Sequence, residues 1–412
     1  MLQQAGEKLR FFQPLRSRGY APGCFDDGGK RESHDASVAC VAPEGAMFEC
    51  VGRRPRRDAA IAASHCEAKQ NMLPFSYYVG LDVHRKSISF CARRPDGTIA
   101  KEGKIPAVRE AIRNWAGGFD GPWGCGLEAT ICSHWIYQEL KPYASRIQMA
   151  NPSRLKAISA AKRKNDALDA RMLADLLRCD LFAACYVPPP AYDALRCYLR
   201  QRALLVKARV MFKNKTAGLL IQRGVPYETP KLHGKRYYTN LIQENSALVE
   251  DLKPLLTFNR TQIERLDEMD DAIVEQLARD PLLKERIERL KSLDGVGNIT
   301  ALTWAVEVGE PSRFPNERHA ISYCGLCAAE RESAGVRKRG PLSKQRNVFL
   351  QTTLIEAAHV AVAHNEKLKA VYEAECQRGP KHRATLEAAR RLVRWLLAVD
   401  RQYFASLGAV AA

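Results

Sequence analysis

The first strong pattern is the apolar run Tyr77-Tyr78-Val79-Gly80-Leu81-Asp82-Val83, which ends in a charged turn, His84-Arg85-Lys86. It predicts a buried strand. Ile88, Phe90 and Ala92 alternate with polar or small neighbours and predict a second strand; Pro95-Asp96-Gly97 predicts a turn, and Thr98 to Ile105 a third strand. These three form a β-meander. Trp123 to Glu128 and Arg146 to Ala150 predict two more strands, on either side of a helix from Ile131 to Leu140. Helices follow from about Ser153 to Ala161 and from Asp166 to Arg178, and Pro188-Pro189-Pro190 closes the unit as a stiff linker.

From Tyr192 to about Leu290 the composition is helical. Ile263, Leu266, Met269, Ile273 and Leu277 recur at three- and four-residue steps, with Glu, Asp and Arg on the other faces. A long helical hairpin or a short dimerising coiled coil fits this stripe. Beyond it, Leu293-Asp294-Gly295-Val296-Gly297-Asn298 sets a Gly-x-Gly turn between two helical stretches, and helices are predicted from about Val348 to Ala363 and Arg383 to Phe404. Residues 1–71 differ: they hold Gly-Gly, Pro-Gly and Arg53-Arg54-Pro55-Arg56-Arg57 with few periodic apolar positions. The expected division is a disordered leader, or upstream sequence translated from an early start, over 1–75; an α/β domain over 76–190; an all-α, coiled-coil-like region over 191–290; and a mainly α domain with a helix-hairpin-helix-like turn over 291–405.

Composition narrows the function. Apolar residues at 46% of 412 suit a globular protein with a core, while no apolar run approaches the ~18 residues of a membrane span. The N-terminus has no apolar segment of secretory type, so the 13 cysteines read as reduced cytoplasmic thiols. Lys and Arg exceed Asp and Glu by 18 charges. Such a surplus favours a polyanionic partner, nucleic acid foremost.

Four carboxylates then stand out. Asp82 sits in an otherwise apolar strand, where an unpaired carboxylate is costly; Glu128 ends another strand; Asp166 and Asp169 share a helix face one turn apart. Together they can converge on one point, where a hard cation such as Mg²⁺ would neutralise them and two ions could clamp a phosphoryl displacement. Each has a plainer reading as well. Asp166 could be only an N-cap, and Glu128 an edge charge.

These segments resemble a known family. Gly80-Leu81-Asp82-Val83-His84, Leu127-Glu128-Ala129-Thr130 and Lys164-Asn165-Asp166-Ala167-Leu168-Asp169-Ala170 are similar to the RuvC-like domain of IS110-family transposases. Leu293 to Ala301, Arg313-Phe314-Pro315, Tyr323-Cys324-Gly325-Leu326, Glu332-Ser333-Ala334-Gly335, Arg339-Gly340, Lys344 and Leu354 to Ala358 resemble that family's second domain. The resemblance implies a ribonuclease H-like fold and a metal-binding tetrad at Asp82, Glu128, Asp166 and Asp169. Two Mg²⁺ ions, or Mn²⁺, are the implied cofactors. It also implies a serine nucleophile at Ser333, which attacks DNA to form a phosphoserine link. The partners implied are DNA, a structured guide RNA encoded by the mobile element, and further copies of the chain in a dimer or tetramer. Two departures lie near the serine: Ala328 where the family has proline, and Ala334 where it has glycine.

Around Ser333, Arg331, Arg337, Lys338, Arg339 and Lys344 would suit a DNA phosphate. Gly295 and Gly297 could present backbone N–H groups to another, or could simply form a tight packing turn. Cys324 and Cys327 have His319 nearby but no evident fourth ligand, so buried thiols are expected; His84 is expected as a turn residue close to the site, not a ligand. Two other functions compete with a transposase. One is a Holliday-junction-resolvase-like nuclease using water, and the other a catalytically decayed nucleic-acid-binding remnant.

Overall fold

The computed structural model describes residues 75–158, 165–333 and 335–410; the expected leader and its arginine cluster lie outside the described residues. Strands β1 (Tyr77–Val83), β2 (Ser87–Arg93), β3 (Ile99–Pro106), β4 (Trp123–Glu128), β5 (Arg146–Ala150) and β6 (Ala184–Cys185) make one sheet of order β3-β2-β1-β4-β5-β6. β1, β4 and β5 run parallel, and β2, β3 and β6 antiparallel to their neighbours.

Alternation sorts the two faces. Val79, Leu81, Val83, Ile88, Cys125 and Leu127 point to one side, where they pack against Ile112 and Ala116 of α1 (Arg109–Ala116) and Ile136 and Leu140 of α2 (Ser133–Leu140). The even-numbered positions of β1 and β4 face the other side, which α4 (Asp166–Arg178) covers; the short α3 (Pro152–Ile158) precedes it. Glycines let α4 approach. A Cβ on Gly80 would lie 2.1 Å from the Ala170 carbonyl oxygen and 2.4 Å from the Ala174 nitrogen.

After Pro188-Pro189-Pro190, α5 (Pro190–Gln222) pairs with α8 (Lys253–Arg279) as an antiparallel hairpin. Arg202 meets Asp270 at 2.8 Å, Arg209 bonds Asp267, Phe212 contacts Phe258 edge-on and Arg223 bonds Asp251. α6 (Lys235–Glu244) and α7 (Ser246–Val249) close its tip around Leu220, Leu232, Tyr238 and Leu256. The helical hairpin is therefore formed, and it covers part of the stripe itself. Ile263 and Leu277 are buried within their own chain, Ile273 packs against the C-terminal core, and Met269 is exposed.

The C-terminal region is mainly helical. Its core gathers α9 (Lys284–Lys291), α10 (Asn298–Val308), α11 (Glu317–Tyr323), α12 (Val348–His364) and α14 (Lys381–Val410), with α13 (Glu366–Arg378) alongside. One element of this mainly α region is not helical. β7 (Ala328–Ser333) and β8 (Val336–Leu342) form a two-stranded hairpin that projects between α11 and α12. No described helix is long and apolar enough to cross a membrane.

Candidate active site

Strand register builds the site. Asp82 pairs with Ser89, and Ser89 with Lys104, so these three stand in one row across β1, β2 and β3. On the other side Leu81 pairs with Leu127, which brings Glu128 next to Asp82 at the carboxyl ends of two parallel strands. Both carboxylates thus belong to the α4 face. The Asn165 side chain accepts from the Ala167 N–H at 3.1 Å and caps α4, which releases Asp166 from that role. Asp166 and Asp169 then lie in the first turn of the helix that crosses above Asp82.

The side chains converge unequally. His84 Nε2 lies 3.0 Å from Asp82 Oδ2 and 3.5 Å from Asp166 Oδ1, and one ligand atom from each of these three residues falls within 4.8 Å of the others. Lys104 Nζ is 3.2 Å from Asp166 Oδ2. Burial raises the Asp82 carboxyl above its ordinary range, opposed by the charge and hydrogen bond of His84 and reinforced by Asp166 and Asp169. Asp166 is held low, chiefly by the Lys104 hydrogen bond. Asp169 therefore acts on Asp82 through its charge. Glu128, half-buried, stands beside Asp82 in register but outside the three-residue cluster. Its carbonyl accepts from Ser133, which with Thr130 fixes the loop that follows.

The other expected residues are elsewhere in the fold. Ser333 ends β7 and is exposed, with no hydrogen bond to any of the four carboxylates. Gly335 turns the hairpin at φ +76°. Arg337 bonds Glu330, and Lys338 and Lys344 are exposed; the side chains of Arg331 and Arg339 lie outside the described residues. The two glycines of the Gly-x-Gly turn differ in their surroundings. Gly295 (φ +80°) packs where a Cβ would meet Ala361 at 2.5 Å, whereas Gly297, at the start of α10, has open space. Cys324 lies in the core, and burial pushes its thiol up.

Two contributions had no signal in the sequence pattern, Lys104 as the cation on Asp166 and the close packing at Gly80, while His84, expected not to be a ligand, instead offers an atom to the cluster. Gly80 shares a face with Asp82 and sets how closely α4 approaches β1. Replacing Gly80 with Ala should push α4 outward, destabilise the fold by about 1–3 kcal/mol and weaken any activity of the carboxylate site. Urea unfolding alongside a DNA-cleavage assay would show both losses.

Comparison with known proteins agrees with this arrangement. Residues 79–223 match a DEDD-type IS110 transposase model, and residues 287–373 match the model described as Transposase IS116/IS110/IS902 family, together more than half of the chain. The transposase for insertion sequence element IS1111A of Coxiella burnetii is 27% identical over 236 residues, 56% of this chain and 64% of that protein. The transposase for insertion sequence element IS1533 of Leptospira borgpetersenii is 26% identical over 261 residues, 61% and 75% respectively. The y4qE protein of Sinorhizobium fredii is 25% identical over 287 residues, 68% and 70%. The mixed sheet followed by a helical C-terminal region is consistent with a transposase that carries a DEDD nuclease-like domain. The chain belongs to the IS110 family of transposases.

Proposed function

We propose that this transposase cuts and rejoins DNA at a metal-dependent site formed by Asp82, Glu128, Asp166 and Asp169, on a ribonuclease H-like domain over 76–190. The observation that carries this reading is the convergence of Asp82 and Asp166, from a central strand and a separate helix, into one cluster at the sheet's acidic edge. Carboxylate oxygens beside one imidazole suit Mg²⁺ or Mn²⁺, and a divalent cation would offset the burial that raises Asp82 as well as the like charges of Asp166 and Asp169 that add to it. When bound, such an ion supplies charge stabilisation at the reacting phosphate. Lys104 and His84 hold Asp166 and Asp82 in place.

Ser333 is the proposed nucleophile: its Oγ bonds to phosphorus as the bond to the leaving sugar oxygen breaks. The exposed Lys338 and Lys344 suit the approaching phosphate, as do Arg331 and Arg339 from their sequence positions, while Gly297 suits a helix-hairpin-helix contact to backbone. A guide RNA, and assembly into a dimer or tetramer that pairs the tetrad with a serine, complete the reading. The exposure of Ser333, without a hydrogen bond to the carboxylates, favours one competitor, a nuclease that uses water alone. Ser333→Ala decides. Strand joining and the covalent protein–DNA adduct should vanish while folding is unchanged; DNA cleavage that survives in this variant without an adduct would support the water-using nuclease.

A further inference from the structure

A second polar site lies along the same edge of the sheet. Asn151 and Arg154 follow the carboxyl end of β5; Ala184, Cys185 and Tyr186 come from β6 and its exit; Arg196 of α5, Arg313 and Tyr323 close the far wall. They enclose a notch of about 230 Å³. Three arginines line it, with no carboxylate among the lining residues.

The inner wall is built rather than incidental. Arg196 donates to the Val306 and Glu307 carbonyls at 3.2 and 2.9 Å, and Arg313 Nε to the Val308 carbonyl at 2.8 Å. The Arg313 guanidinium sits 4.2–4.4 Å from the ring centroids of Tyr186, Phe314 and Tyr323. All these partners are neutral, and neither Arg196 nor Arg313 has an ion-pair partner among the described residues. Two buried atoms at this wall, Arg313 Nη2 and Tyr186 Oη, have no hydrogen-bond partner among the described residues. Buried polar atoms without partners are uncommon and mark places where a partner is missing. At the mouth Arg154 is exposed, and its side chain has no ion-pair partner among the described residues.

We infer that this notch binds a backbone phosphate of the nucleic acid on which the carboxylate site acts, an inference that rests on the functional reading above. Its position supports this. β6 is two strands from β4, so at about 4.8 Å per strand the notch lies roughly 10 Å along the edge from Glu128. A strand crossing the acidic edge passes over it. The phosphate meets Arg154 at the mouth, and the field of the two inner arginines favours an anion there. It would fix the strand's register and carry no sequence preference.

The test is binding, measured by fluorescence anisotropy across a salt series with full-length protein, on duplex DNA and on RNA of equal length. Arg154→Gln alters an exposed side chain and should weaken binding equally for every sequence, lowering the slope of log K against log salt by about one. Tyr186→Phe removes only a hydroxyl without a partner. It should lower affinity, leave that slope unchanged and not reduce thermal stability. Losses on DNA are expected; losses confined to RNA would overturn the inference, because the carboxylate site acts on DNA. Wild-type affinity and slope in both variants would overturn the inference; failure of the unmutated protein to bind either nucleic acid would instead overturn the functional reading. Asp82→Ala, which leaves the notch intact, should retain the full salt slope.

Discussion

Asp82→Ala should abolish DNA cleavage. It removes the central carboxylate of the cluster, the one that faces His84, Asp166 and Asp169 together. If several kcal/mol of transition-state stabilisation depend on that group, the rate should fall by roughly 10³-fold or more. The fold should survive, and should even gain. The folded protein holds the Asp82 proton more tightly than an unfolded chain does, so its contribution to stability is present at low pH and lost as pH rises through the raised value. Asp82→Asn keeps the shape without the charge, so it should unfold at higher temperature than the parent near neutral pH in the absence of divalent metal. The order should reverse with saturating Mg²⁺, which stabilises only the parent by mass action. Undiminished cleavage by Asp82→Ala, or no Mg²⁺-dependent shift in the parent, would sink the assignment.

The parts of this site carried by apolar patterning could be read from the sequence. β1, β4 and β5 are short runs bounded by turns, α4 starts at an Asn cap, and Asp82 and Glu128 are anomalous against their surroundings. Residues that depend on register could not be read. Lys104 is one of several charges on an exposed strand, and only the pairing through Ser89 puts it in line with Asp82. The β7–β8 hairpin was silent for a different reason. Glu330-Arg331-Glu332-Ser333 and Val336-Arg337-Lys338-Arg339 are mostly polar, so no alternation marks them as strands. α1 buries only Ile112 and Ala116, too brief a stripe to stand out in the sequence. The α8 stripe teaches a further limit: periodicity shows that Ile263 and Leu277 are covered, and cannot show whether α5 or a second chain covers them.

Far from the carboxylates, the largest stability effect should come from one buried ion pair. Arg286 on α9 and Asp400 on α14 are 1% and 0% exposed and meet at 2.6 Å. Every guanidinium N–H is used: Asp400 accepts two, and Tyr192, the Ala305 carbonyl and the Gly309 carbonyl accept the rest. Trp304 Nε1 donates to the same carboxylate at 3.0 Å, and the guanidinium stacks on Phe404 at 4.9 Å. The network therefore ties α5, α9, α10 and α14 together beneath the C-terminal region. Removing one partner strands a charge out of water, so Arg286→Met or Asp400→Leu alone should cost about 3–5 kcal/mol in urea unfolding. The double variant replaces both charges with apolar groups of similar size and should recover most of that loss. Its coupling energy is the informative quantity. If the two single losses simply add in the double variant, the pair does not act as a unit, and packing around Trp304 and Tyr192 holds these four helices instead.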